Sequence, residues 1–307
     1  MSEGVRSLAC MPARVFALAG VTFTQLIRMR LFLVLAVFGI GFMGMQFLPY
    51  HGHLGVETRG VYQLQLIKDV ALGCMQMFGL IFCVGATALL IPRDAEDRIL
   101  YTILCKPVPR FEYLLGKLLG VWSILLLMML LMDGMMVLIL HLREASLTAE
   151  MVEVLGNQGA TAEQIQPYID HIAEASNSWN MQRGIIAMFL GYGVLTSVTL
   201  LFSTFTSGTI ISMIFGLGVY FVGMFRHQMF AGINAGLGVE GSTEKMRFAE
   251  QIASVILPDF SIFNIADTAS SGVAFTNGML GYLVLIALGY MLLHLLVSTL
   301  IFSRKEF

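Results

Sequence analysis

Between Gly184 and Phe225 the chain runs for 42 residues without one acidic or basic side chain. An α-helix rises about 1.5 Å per residue, so a single helix of that length would measure about twice the roughly 30 Å of a bilayer's hydrocarbon core. The run therefore has to fold back on itself. Its one strongly polar interval, STFTSGT from Ser203 to Thr209, contains Gly208 and reads as a tight turn between two antiparallel spans, 184–203 and 208–225. Such a segment needs an apolar solvent, and the composition of the 307 residues agrees: 57% are hydrophobic, 12% are charged, and the mean hydropathy is +0.80. Soluble domains carry about 25% charged residues. The net charge of −2 gives no reason to invoke nucleic acid as a partner.

Four further runs have the length of a crossing. Leu31 to Val56 has no Asp, Glu, Lys or Arg and supplies a first span at 31–50, and Val70 to Pro92 a second, with Pro92 at its edge because proline fits poorly inside a helix. Leu118 to Leu140, interrupted only by Asp133, gives a third within 114–140, and the last runs over 279–302. Ahead of the first span, ARVFALAGVTFTQLIRMR (Ala13 to Arg30) has arginines at the edges of an apolar stretch and reads as a helix lying in the membrane surface; the alternative is that it extends the first span. The apolar run that follows is too long for a signal peptide and lacks a small-residue cleavage site.

Lysines and arginines set the orientation. With both termini on one side, that side holds Arg6, Arg14, Arg28, Arg30, Arg93, Arg98, Lys106, Arg110, Lys117, Arg304 and Lys305, which is 11 of the 18. The positive-inside rule then places both termini in the cytoplasm of a multi-pass inner or plasma membrane protein. Two sizeable loops fall outside. In 141–183, Thr161 and Gln164 have capping-box spacing inside a segment that reads as a small helical cap; in 226–278, STEKMRFAEQIASVILP reads as an interfacial helix. Cys10, Cys74, Cys83 and Cys105 avoid both loops, so no disulfide framework is expected, and the scattered histidines offer no metal site. No HExxH or GxSxG occurs, which weakens a membrane-embedded enzyme.

Asp133, in LLMMLLMDGMMV, is the one acid inside a span, and such a residue is a functional candidate by default; the plainer reading puts it near the outer end, within reach of water. The methionines around it, Met128, Met129, Met132, Met135 and Met136, read as packing in preference to a copper(I) path, because they cannot all face one way. Little intramembrane charge leans any cargo towards the amphipathic or hydrophobic.

The basic side has one feature of its own, PRDAEDRILYTILCKPVPRFEYLLGK from Pro92 to Lys117. Asp94 suits an N-cap, Glu96 and Asp97 suit a first helical turn, and Pro107 forces an end, so a short cytoplasmic helix is expected at about Ala95 to Cys105, within a segment 93–113. YTILCKPVPRFEYLLGK resembles the loop between the second and third spans in permease subunits of type-2 ABC exporters, the ABC-2 transporter family. The likeness rests on Tyr101, Thr102, Leu104, Lys106, Pro107, Arg110, Glu112, Gly116 and Lys117. It implies an all-α integral membrane protein of six transmembrane helices, with an N-terminal interfacial helix and a cytoplasmic coupling helix, in a single domain over 1–307. It also implies that Glu96, Asp97, Arg98, Thr102, Lys106, Pro107, Arg110, Glu112, Gly116 and Lys117 couple to a soluble ATP-binding cassette ATPase, and that a second permease copy or homologous half completes the pore. The long outer loop 141–183 is not general in that family. No GxxxxGK[ST] is present, so ATP and Mg belong to the partner ATPase and this chain itself is not an enzyme. A non-transporting membrane anchor, or a subunit that transmits mechanical force, remains the alternative.

Overall fold

The structure, a computed structural model, describes residues 11–45, 56–96, 109–176, 179–206, 208–237, 257–264 and 277–304. These form α1 (Met11–Ile27), α2 (Arg30–Gly44), α3 (Val56–Glu96), α4 (Arg110–Asn157), α5 (Ala162–Ser176), α6 (Trp179–Phe205), α7 (Thr209–Leu237), a 3-10 turn at Ser261–Phe263, and α8 (Asn277–Arg304), with no strand among the described residues. Five helical segments are long and apolar enough to cross a membrane, and α1 with α2 makes a sixth if that pair, bent by 65°, counts as one span. The chain is therefore an all-α, multi-pass membrane protein.

α6 is the core helix. It is apolar on every side and meets α3, α4, α7 and α8, which is what an all-round hydrophobic helix requires. Its threonine hydroxyls are satisfied within the helix: Thr196 and Thr199 each donate to the carbonyl four residues back, as hydroxyls do where water is absent. His294 of α8 meets α6 through Nδ1, 3.0 Å from Ser197 Oγ. Because that hydroxyl donates to the Val194 carbonyl at 2.6 Å, it accepts from Nδ1–H, so the ring is a satisfied core histidine. α7 and α8 turn Ile210, Ile214, Phe221, Leu285, Leu292 and Leu300 outward, a surface suited to lipid chains.

The turn between α6 and α7 falls where the sequence places it, between Phe205 and Thr209, and Thr206 and Ser212 share a hydroxyl–hydroxyl bond across it. Met128, Met129, Met132 and Met136 are buried packing residues. Of the four glycines in the charge-free run that read as close-contact positions, Gly191, Gly193 and Gly216 each lie against a neighbouring side chain and Gly218 against none; Cys74 and Cys83 are buried free thiols.

Several boundaries move. α3 begins at Val56, well before residue 70, and passes through Pro92 to end at Glu96, so Asp94 lies inside this helix instead of capping the next. Proline at 92 cannot donate to the Ala88 carbonyl; Ser203 Oγ of α6 donates to it instead, at 3.5 Å. α4 continues for 48 residues, about 72 Å, so residues 141–157 of the expected outer loop are an extension of the third span. α5 folds back on it after Gly159, whose φ of 81° suits glycine, and the Thr161 N–H donates to Gln164 Oε1 at 3.0 Å, half of a capping box. Ile172 of α5 packs against Leu147 of α4 over Gly60 of α3. The expected cap is thus a three-helix projection continuous with the bundle. Apart from Leu257 and Pro258, the interfacial helix read in STEKMRFAEQIASVILP lies outside the described residues, as do the short helix after Glu96, Cys10 and Cys105.

Candidate functional site at the basic end

The segment 97–108 leaves α3 after Glu96 and returns at α4. Asp97, Arg98, Thr102, Lys106 and Pro107 are outside the described residues, but both roots of the segment are visible. At those roots sits a buried polar knot. Lys117 Nζ of α4 lies 2.6 Å from Asp94 Oδ2 of α3, with side-chain exposures of 4% and 0%. Tyr113 Oη donates to the same carboxylate oxygen at 2.7 Å, and Lys117 also donates to Gln25 Oε1 of α1 at 3.4 Å. One turn earlier, Arg14 of α1 pairs with Glu112 of α4 at 3.2 Å. Arg110, in the first turn of α4, donates to the Phe302 carbonyl near the end of α8, where carbonyls lack intrahelical partners. The Tyr113 ring stacks on Phe302 at 5.9 Å.

Four helices are therefore joined within two turns of α4. A carboxylate and an ammonium in apolar surroundings are tolerable only together, each desolvation cost offset by the other and by added hydrogen bonds. Gly116 and Gly120 complete the joint. A Cβ at Gly116 would lie 2.6 Å from Leu18 Cβ, and one at Gly120 would lie 2.5 Å from Thr22 Cβ, so α1 approaches α4 along a Gly-x-x-x-Gly face. α1 accordingly buries Val15, Ala19, Thr22 and Leu26 against the bundle, while Phe16 and Val21 on its other sides stay exposed.

This redistributes the residues singled out as coupling contacts. Glu96 is exposed at the end of α3. Glu112, Gly116 and Lys117 point into the chain, toward α1 and α3, because their partners are Arg14, Leu18 and Asp94. Arg110 is half-buried against α8. Glu112, Gly116 and Lys117 are thus buried against other helices of the chain, while Glu96 stays exposed and Arg110 partly so. Sequence reasoning gave Asp94 a capping role and Arg14 only a place in the charge count, and did not single out Tyr113, Gly120 or Gln25; only the glycine spacing carried a legible signal.

Asp133 lies elsewhere, toward the opposite end of the bundle. Gln182 Nε2 of α6 donates to its Oδ1 at 2.6 Å, beside Arg183, which ends the apolar part of that helix. The acid is half-buried and has a partner in its own chain, which fits the plainer reading of its position. Among the described residues no group of three or more His, Cys, Asp or Glu could hold a metal ion.

A helical bundle with five or six spans, a knotted basic end and a helical projection at the far end is that of an all-α, multi-pass membrane protein. Residues 53–304 match the family model described as ABC-2 family transporter protein, and the chain belongs to that family. A comparison with curated proteins finds no match. Family membership makes the chain an ABC-type transporter permease, an integral membrane protein of transmembrane transport.

Proposed function

We propose that this chain is the membrane half of an exporter driven by a separate ATP-binding cassette ATPase, which docks on segment 97–108. The observation that carries this reading is the knot: both roots of the segment are tied to α1, α3, α4 and α8 through Asp94, Lys117, Tyr113, Glu112 and Arg110. A push on the segment is delivered to several helices at once. The concentration of lysine and arginine at this end supports a cytoplasmic position for it and for both termini, in an inner or plasma membrane. Within this reading Arg98, Thr102, Lys106 and Pro107 meet the ATPase, Arg110, Glu112, Gly116 and Lys117 transmit its movement, and ATP with Mg is bound by the partner alone. A second permease copy or homologous half completes the assembly, and Asp133 stands near the outer end of the path. The test is purification of the tagged chain in mild detergent. A co-purifying subunit with a Walker A sequence is expected, lost in Lys106→Glu and retained in Asp94→Asn/Lys117→Met; its absence from the wild-type preparation sinks the proposal.

A second reading is favoured by the unbroken length of α4, which joins the knot to the far projection without a hinge. In that reading the ATPase works α4 as a lever on something outside the membrane, and no cargo crosses. Leu142→Pro separates the two in complementation of a deletion strain. An exporter keeps function when α4 is broken beyond the apolar core, and a lever does not.

A further inference from the structure

The short stretch Leu257–Asn264 is mostly irregular backbone, yet it lies at membrane depth. Phe263 covers Gly191, where a Cβ would come within 2.8 Å of the Phe263 Cβ, and Gly191 is seven residues, about 10 Å, into the charge-free run that starts at Gly184. Asn264 reaches Gln76 of α3, whose Nε2 donates to Asn264 Oδ1 at 3.3 Å. Non-helical backbone at such depth is tolerated only where protein buries it or where it lines a water-filled space.

The seat beneath it is polar for its position. Gln76, Tyr192 and Tyr220 line a cavity of about 20 Å³, room for one water, roofed by Phe260 and Phe263. Tyr192 Oη donates to the Gln76 carbonyl at 2.8 Å. The stretch is held at its outer end by ions: Arg226, at the end of the charge-free run, contacts Asp259 Oδ2 at 3.0 Å and the Leu257 carbonyl at 3.2 Å. Asp259 Oδ1 in turn accepts from the Ser261 N–H at 3.0 Å and so starts the 3-10 turn that aims Phe263 inward. Both ions of the pair are mostly but not fully buried, at 16% and 17% exposure. Inside the seat, by contrast, every contact is uncharged.

We propose that Leu257–Asn264 is a detachable plug over an uncharged polar vestibule between α3, α6 and α7, and that the Arg226–Asp259 pair is its latch. When the latch opens, water enters and the amide and phenol groups of Gln76, Tyr192 and Tyr220 become available to a neutral hydrogen-bonding group. This accounts for polar side chains where lipid-like packing needs none, and for Phe263 and Phe260 resting over Gly191 and Gly223, which leave them a shallow seat.

The test uses the full chain in nanodiscs with its four native cysteines replaced by alanine and Met188→Cys as reporter, since Met188 is buried against the cavity. The reaction rate with a hydrophilic maleimide is measured. Slow labelling is expected with the latch intact, at least fivefold faster labelling in Arg226→Glu and in Asp259→Lys, and slow labelling again in the swap Arg226→Asp/Asp259→Arg. A disulfide between Gly191→Cys and Phe263→Cys should abolish labelling of the Arg226→Glu protein. Single variants that label at the wild-type rate overturn the proposal. So does a swap that labels as fast as they do, because the gain then reflects general damage and not an opened latch.

Discussion

At the scale of single residues, charge at the basic end sits in a place that is costly unless it is matched. Lys117→Met leaves Asp94 buried beside Tyr113 alone, and removing one partner of a buried pair costs about 3–5 kcal/mol. The purified variant should therefore unfold at a clearly lower temperature in detergent, whereas Asp94→Asn/Lys117→Met should recover most of the loss. If the double variant is no better than the single, the ion pair is not what holds these helices. Gly120→Val tests the neighbouring contact, since its side chain would enter the space of Thr22; overpacking of this kind costs about 1–3 kcal/mol. Protease sensitivity of α1 should rise in that variant. Little of the knot was legible beforehand. Lys117 and Glu112 were readable as charges near a membrane boundary, but nothing along the chain links residue 94 to 117 or 14 to 112, because those pairings arise from helix packing and not from periodicity. Gly116 and Gly120 had the spacing of a close helix contact and were half hidden inside a motif that draws attention to its loop.

At the scale of elements, hydropathy reported where the apolar solvent ends and not where helices end. The five clearest apolar runs each fall within a long helix, and the turn at Gly208 was legible because no helix could bridge 42 uncharged residues. In α3 and α4 the polarity changes while the backbone hydrogen bonding continues, so Val56–Asp69 fell outside the expected second span and His141–Asn157 inside an outer cap separate from the third. The projection they form is held by a small apolar contact at Ile172, Leu147 and Gly60. Ile172→Ala should cost about 2–5 kcal/mol locally. Hydrogen exchange should then quicken in Ala162–Ser176 and stay unchanged in the core of α6; equal protection in both proteins would mean that α5 is held by something else.

At the scale of the whole molecule, the asymmetry of charge is the quantity open to the simplest measurement. Arg98, two residues past the end of α3 in the sequence, and Gln158, just past the end of α4, are the positions to probe by single cysteine substitutions, Arg98→Cys and Gln158→Cys. In intact cells of cysteine-free background, an impermeant maleimide should label Gln158→Cys alone, with Arg98→Cys labelled only after permeabilisation. The reverse pattern would turn the molecule over and remove the ATPase from segment 97–108. The sequence foresaw the class of molecule at this scale because solvent preference is a bulk property, and left its mechanical layout unread because that depends on which helices run on.

The unbroken run of α4 also constrains how such a chain can vary. Each residue added to a helix turns everything beyond it by about 100° and advances it by about 1.5 Å. Between Arg110 and Asn157 different faces of α4 must meet α1 at Gly116, α2 at Met132 and α5 at Leu147 in a single register. A one-residue insertion early in the helix would thus misalign contacts tens of ångströms away, while the same insertion at Gln158 or Ala160, in the bend before α5, would pass almost unfelt. Length differences among natural variants should accumulate at that bend and be nearly absent from the helix below it.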